Sequence, residues 1–252
     1  MVLFIAILIP LAGYLIMVYF GDDFARMPRR YFYDGVMTQS NGKTDTVWHK
    51  VKDMHFTNQL GKEVKLSDVK GKILVVDFFF TRCPAICPRL THSMKKLQSA
   101  FAKNPDIVQF ISISVDPVHD SVPNLRKFAD RFGVNHDNWW FVTGTKDSVY
   151  DFAIKEMKAN IADPGIDTAF IHTEDFFLLD RERIIRGWYN GLDSVRQSQL
   201  AHDIATLNIE KQPGESSVRS VISSILPIII LAIGVVILLS ILMNKYKKKS
   251  DG

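Results

Sequence analysis

Two stretches of this chain carry no charged side chain, and they limit how much of it is left to build a water-soluble fold. Residues 1–20, MVLFIAILIPLAGYLIMVYF, are just long enough to cross a hydrocarbon core of about 30 Å. Residues 221–243, VISSILPIIILAIGVVILLSILM, run longer than a span requires, which implies tilt, and Pro227 is placed to kink the helix. Both are expected to be transmembrane helices. NKYKKK follows the second, and the preference of Lys and Arg for the cytoplasmic side puts the 244–252 tail inside. The middle of the chain then lies outside, as a periplasmic or extracytoplasmic domain on the inner membrane. A cleaved signal peptide fits less well, because neither a basic leading segment nor a small-x-small site precedes Gly21. One feature runs against the charge rule: Arg26, Arg29 and Arg30 follow the first span on its outer side.

Of the formal net charge of +4, the basic tail accounts for most, so the exported part is nearly neutral. That argues against a nucleic-acid-binding face. Residues 21–45 mix Pro, Gly, Asn, Thr and charges without a sustained period and read as a linker, as do residues 211–220 around Pro213. Residues 46–210 remain for one domain with its own core.

Within that domain, apolar β-rich runs alternate with amphipathic stretches, the pattern of an α/β fold. KILVVDFFF predicts a strand over residues 73–80 buried on both faces, IVQFISISVD a second at 107–116, and WWFVTG a third from Trp139. Leu90, Met94, Leu97 and Phe101 recur at helical spacing, as do Leu125, Phe128 and Phe132, and KDSVYDFAIKEM predicts a third helix. DFFLLDRERIIRGWYNG predicts a hairpin, and SVRQSQLAHDIATLN a closing helix.

The only two cysteines, Cys83 and Cys87, sit between the first buried strand and the first helix. Backbone N–H groups and the helix dipole at such a junction favour thiolate over thiol, and thiolate is both the nucleophile and the metal ligand. Pro84 and Pro88 stiffen the turn, with Pro88 suited to a first helical position. The pair can bind a metal, exchange electrons, or form a structural disulfide. For electron exchange the partner is Asp77, six residues before Cys83: a carboxyl in an apolar strand has a raised pKa and can relay protons to Cys87.

VVDFFFTRCPAICP resembles the motif of the SCO/SenC family, copper-handling proteins tied to cytochrome c oxidase assembly. The Cys-Pro-x-x-Cys-Pro at 83–88 is joined by SVDPVHDS, Asp116 to Ser121, which is similar to the family's Asp-Pro-x-x-Asp, and by FIHTEDFFLLD, whose His172 matches its distal histidine. The resemblance covers residues 46–210. It implies a thioredoxin-like sheet flanked by helices, and a copper ion held by Cys83, Cys87 and His172. Two thiolates and an imidazole suit Cu(I) and can still hold Cu(II), whereas structural zinc normally takes four protein ligands. Ala85 departs from the acid that many members carry between the cysteines. The implied function is a metallochaperone that delivers copper to an apo cytochrome c oxidase subunit at the membrane. The alternative is a thiol-disulfide oxidoreductase, using Cys83, Cys87 and Asp77, that reduces client cysteines before copper insertion.

The other candidates have plainer readings. His49, His55, His92, His119, His136 and His202 lack ligand-like spacing and read as surface or capping residues, with His92 the nearest rival ligand. Asp116 and Asp120 read as turn and capping residues that can also shape a docking rim. Trp139, Trp140 and Trp188 read as packing residues, with Trp188 and Tyr189 able to form an exposed recognition edge. No Gly-rich phosphate loop or Ser-His-Asp order is present, which leaves no case for nucleotide binding or hydrolysis.

Overall fold

The computed structural model describes residues 13, 27–38, 42, 44–159 and 173–210. The two apolar end stretches (apart from Gly13), the basic tail and His172 lie outside the described residues, within which no helix is long and apolar enough to cross a membrane. The chain divides into two units, Met1–Ile209 and Glu210–Gly252, and every element below belongs to the first.

A two-stranded ribbon, β1 (Tyr33–Thr38) and β2 (Thr44–Trp48), precedes a seven-stranded mixed sheet. The sheet strands are β3 (His55–Asn58), β4 (Glu63–Lys65), β5 (Ile73–Phe79), β6 (Val108–Ser114), β7 (Trp139–Thr143), β8 (Asp175–Leu179) and β9 (Ile185–Asn190), in the spatial order β4-β3-β7-β6-β5-β8-β9. The centre, β7-β6-β5, is parallel, and an antiparallel hairpin flanks it on each side. The helices are α1 (Ile86–Ala100), α2 (Val122–Arg131), α3 (Lys146–Asp151, continued by a π-helical turn over Phe152–Glu156) and α4 (Ser194–Asn208).

The sequence order of strands and helices in the centre is as expected, and each strand boundary falls within two residues of its predicted place. The β1–β2 ribbon and the β3–β4 hairpin were not anticipated. The β3–β4 hairpin hides in FTNQLGKEVK, where too few apolar residues stand in alternation to mark strands; Gly61 makes its turn at φ 74°. Residues 33–38, assigned to the first linker by composition, form β1, and residues 27–32 run as a strap along the sheet edge. The strap is held by Tyr31 N–H on the Ile185 carbonyl at 2.9 Å and by Arg186 Nη2 on the Pro28 carbonyl at 2.8 Å. It shields β9, whose outer edge would otherwise offer unpaired groups to another chain.

Every residue of β5 and β6 is buried, which explains their near-continuous apolar sequence. Alternation sends Val75, Asp77 and Phe79 to one face and Leu74, Val76 and Phe78 to the other. On the first face Phe79 packs on Phe128 of α2 and Phe141 of β7, and the Tyr189 hydroxyl bonds Asp203 of α4 at 2.6 Å. Helix α1 packs beside α4 over the same face. There Leu90 and Phe176 come within 2.6 Å of the point a Cβ on Gly191 would occupy, so only glycine fits that turn. On the second face Phe78 meets Phe177 edge-on. Each fully buried aromatic or aliphatic chain contributes on the order of 1.5–3 kcal/mol, so this two-faced core fixes β5 and therefore the loop that leaves it.

A candidate dithiol metal and redox site

The loop from Phe80 to Ala85 carries the chain from the end of β5 into α1. Cys83 is 7% exposed and Cys87 is fully buried, and no disulfide joins them. Cys83 N–H donates to the Phe80 carbonyl at 3.2 Å, closing a tight turn. Ala85 is the N-cap and offers no side-chain acceptor, so the first N–H groups of α1 need another partner. The Cys83 sulfur supplies it, accepting from Cys87 N–H at 3.3 Å. Pro88 stands two positions further into the helix than expected, where an N–H would still lack an intrahelical acceptor, so its ring costs nothing there.

These contacts set the two thiols apart. Burial works to raise the Cys83 pKa, but hydrogen bonds from the backbone N–H groups of Cys87, Ala85 and Ile86 and from the Cys87 thiol together bring it below the usual thiol value. Burial pushes the Cys87 thiol well above that value, and the negative charges of Cys83 and Asp77 push the same way. Asp77 lies on the sheet face that α1 covers. It is fully buried, its Oδ1 has no hydrogen-bond partner, and burial lifts it to about 7 against a modest opposing bond from Ser112. Ser112 is its cross-strand neighbour on β6 and in turn accepts from Trp139 Nε1 at 2.9 Å.

The loop is clamped from a second side. Asp120, fully buried, accepts from the backbone N–H of Thr81 at 3.1 Å, from the Thr81 hydroxyl, and from the Ser114 hydroxyl at 2.6 Å. Arg82 Nη2 donates to Asp116 Oδ2 at 2.7 Å, and His119 Nδ1 lies 2.8 Å from Asp116 Oδ1. Asp116 and Asp120 are therefore not helix caps: α2 is capped at Ser121 with no side-chain bond, and the carboxylates fasten the two residues before Cys83 to the end of β6. Sequence reasoning missed Thr81 and Arg82. The signal available was an Arg beside the motif cysteine and an Asp-Pro-x-x-Asp loop leaving the adjacent parallel strand.

Among the described residues no three His, Cys, Asp or Glu side chains group as a metal site, and His172, the expected third ligand, lies outside them. The chain re-enters the described structure at Thr173, whose hydroxyl accepts from Asp175 N–H at 2.7 Å. Val76 pairs with Phe177 in the antiparallel β5–β8 ladder. Two residues further along each strand, Phe78 comes level with Asp175, so β8 starts at the sheet end from which the cysteine loop departs.

The remaining histidines are engaged elsewhere or exposed. His92 is exposed on α1; His136 contacts Gln59 and Asp130 at 3.0 Å each; His55 and His202 are exposed. His49 corrects the surface reading. It is 8% exposed, with Nδ1 3.1 Å from Asp34 and Nε2 3.1 Å from the Glu156 carbonyl, and it ties the ribbon to the π-helical turn. Trp139 is core, stacked on Phe141, whereas Trp188 is 40% exposed beside a buried Tyr189.

The model described as SCO1/SenC matches residues 43–208. The chain belongs to that family. A SCO1 protein homolog of Bacillus subtilis is 36% identical over 169 residues, which cover 66% of this chain and 87% of the relative. The solved structure of BsSco, described as a member of the Sco family of cytochrome c oxidase assembly proteins with a disulfide switch, is 34% identical at a TM-score of 0.58, covering 66% of this chain and 98% of that one. Bradyrhizobium japonicum ScoI with copper bound aligns at a TM-score of 0.52 and 24% identity over 62% of this chain and 98% of its own. The thioredoxin-like α/β fold expected of a SCO1/SenC member is the fold observed.

Proposed function

We propose that this SCO1/SenC protein is a membrane-tethered copper-binding protein that takes up one copper ion through Cys83, Cys87 and His172 and passes it to an apo cytochrome c oxidase subunit. The observation that carries the reading is the N–H cradle around Cys83. It favours a thiolate at the mouth of a sheet-to-helix junction, with a second sulfur one helical turn away, and soft sulfur ligands select Cu(I). The antiparallel β5–β8 pairing supports His172 as third ligand, because the segment leading into β8 starts from the same sheet end. The copper-bound relative supports the cargo. Transfer proceeds by ligand exchange: an incoming thiolate of the client displaces the imidazole, the weakest of the three ligands for Cu(I), and then the two sulfurs in turn. The apolar segments 1–20 and 221–243 hold the domain near its client and raise the effective concentration of the encounter. Copper content and spectra of the reduced protein test the reading. One copper per chain is expected, lost in Cys83→Ser and Cys87→Ser and destabilised in His172→Ala; unchanged retention in His172→Ala refutes the ligand set.

A second reading has its own support. An accessible-side thiol of lowered pKa, a buried thiol of raised pKa, and a carboxyl near 7 beneath them are the parts of a dithiol reductase. Cys83 attacks a client disulfide, Cys87 resolves the mixed disulfide with loss of its proton toward Asp77, and the client leaves as a dithiol while the pair is oxidised. Client assembly that survives His172→Ala but fails in Asp77→Asn identifies this role.

A further inference from the structure

The strap and β9 together build a surface that neither reading above uses. Tyr31, Phe32 and Trp188 form an aromatic ridge, with ring centroids of Tyr31 and Trp188 4.7 Å apart and Phe32 stacked on Trp188 at 6.2 Å. Phe32 and Trp188 are 39% and 40% exposed, and Met27 beside them is 38% exposed. A hollow of about 340 Å³ lies on one flank, bordered by Met27, Arg29, Tyr31, Trp188 and Arg196.

The ridge is rigid, since Arg186 and Ile185 hold the strap and His49 N–H donates to the Phe32 carbonyl at 3.0 Å. Phe32 takes φ 61°, a left-handed conformation that costs a non-glycine residue on the order of 1 kcal/mol. What that cost secures is the turn from strap to β1 that leaves the ring facing outward against Trp188.

We propose that the Tyr31–Phe32–Trp188 ridge, with Met27, Arg29 and Arg196 beside it, seats the domain on the headgroup region of the lipid bilayer. This rests on the reading of residues 1–20 as a membrane anchor. Six residues lie between Phe20 and Met27, so seven Cα-to-Cα steps span at most about 25 Å when fully extended. The strap thus follows directly on the leash and stays within that reach of the bilayer, which leaves little room for a protein partner between the two. Amphipathic Trp and Tyr rings settle at the membrane–water boundary, and arginines beside them meet lipid phosphates, each cation near an anionic surface contributing about 1 kcal/mol. The seat also accounts for Arg29 and Arg30 following the first apolar segment on its outer side: they lie where phosphates are.

The seat sets the height of the dithiol. Trp188 pairs with Phe177, which pairs with Val76, so the ridge is two strands from β5 and a few residues below its end. At about 4.8 Å per strand and 3.3 Å per residue, the cysteine loop stands roughly 15–20 Å from the ridge. It is held at a fixed level above the headgroups, where a membrane-bound client can meet it.

The test uses the full chain reconstituted in phosphatidylcholine–phosphatidylglycerol vesicles containing lipids brominated near the glycerol end of the acyl chain. Tryptophan emission should be quenched, and Trp188→Phe should remove more than half of that quenching while leaving far-UV circular dichroism and thiol titration unchanged. Arg29→Gln should lessen the dependence of quenching on phosphatidylglycerol. Equal quenching in wild type and Trp188→Phe, or none in either, overturns the seat. Alkaline extraction separates the two failures. A chain that stays with the vesicles without Trp188-dependent quenching keeps its anchor and loses the seat; a chain that is extracted loses the anchor reading, and the seat with it.

Discussion

The backbone N–H of Cys87 points at the sulfur of Cys83 across 3.3 Å, so one motif cysteine helps to ionise the other while its own sulfur stays buried. A single turn of chain thereby produces two thiols of unlike chemistry. Cys83 is therefore the thiol expected to engage first, whether with copper or with a client disulfide.

That asymmetry is measurable with a small alkylating agent. Cys83 is expected to react at least roughly tenfold faster than Cys87 at neutral pH, because rate follows thiolate fraction and access. Mass spectrometry of partly alkylated protein should find the label on Cys83, and Cys83→Ser should lose the fast phase. Equal labelling would show that the N–H cradle does not act on the sulfur.

Asp77 should leave a mark on the pH dependence of stability. Its carboxyl is near 7 in the fold and near 3.8 when unfolded. Between those values the folded protein keeps a proton that the unfolded chain has released. Stability is therefore greatest below the unfolded value and falls as pH rises through the window, by up to about 4 kcal/mol at 1.36 kcal/mol per pKa unit. Asp77→Asn removes this slope. Urea titrations from pH 4 to 8 should show wild type losing stability where the variant does not. A wild-type curve as flat as the variant's would mean that the carboxyl ionises freely.

Legibility tracked where the physics was local. The buried centre of the sheet could be read because an uninterrupted apolar run such as ILVV has few other fates, and the cysteine junction because strand and helix signals abut there. The β3–β4 hairpin could not, since its strands are short and much of what binds it is a partner strand far along the chain, with Thr57 opposite Thr143. The Asp116 and Asp120 clamp was half visible. Both carboxylates stand in a recognisable turn, but that they would reach Thr81 and Arg82 rather than their own helix depends on β5 and β6 being parallel neighbours, with Phe79 level with Ser114. The role of Trp188 was legible as exposure alone; its stacking on Phe32 required a strap that composition assigned to a linker.

Asp120 is the member of the clamp whose loss should be felt most. It is fully buried and accepts three hydrogen bonds, two from Thr81 and one from Ser114. Asp120→Ala strands those donors, at roughly 1–3 kcal/mol for each that stays unsatisfied. A loss of about 2–4 kcal/mol in urea denaturation is expected, together with a slower Cys83 alkylation as the turn before it loosens. Full stability in the variant would show that water replaces the carboxylate without cost.

Copper itself provides the last test, because a ligand that binds only the folded state stabilises that state by mass action. At a free Cu(I) activity about 100 times the dissociation constant the gain is about 2.7 kcal/mol, and it should appear as a raised Tm in wild type. Cys83→Ser should abolish the gain, since it removes the thiolate that the fold favours. His172→Ala should reduce it by weakening the affinity, and a chelator added to loaded protein should return Tm to the metal-free value. If His172→Ala shows the full gain, the imidazole is not a Cu(I) ligand, and the dithiol acts in the fold as an electron carrier that binds copper only through its two sulfurs.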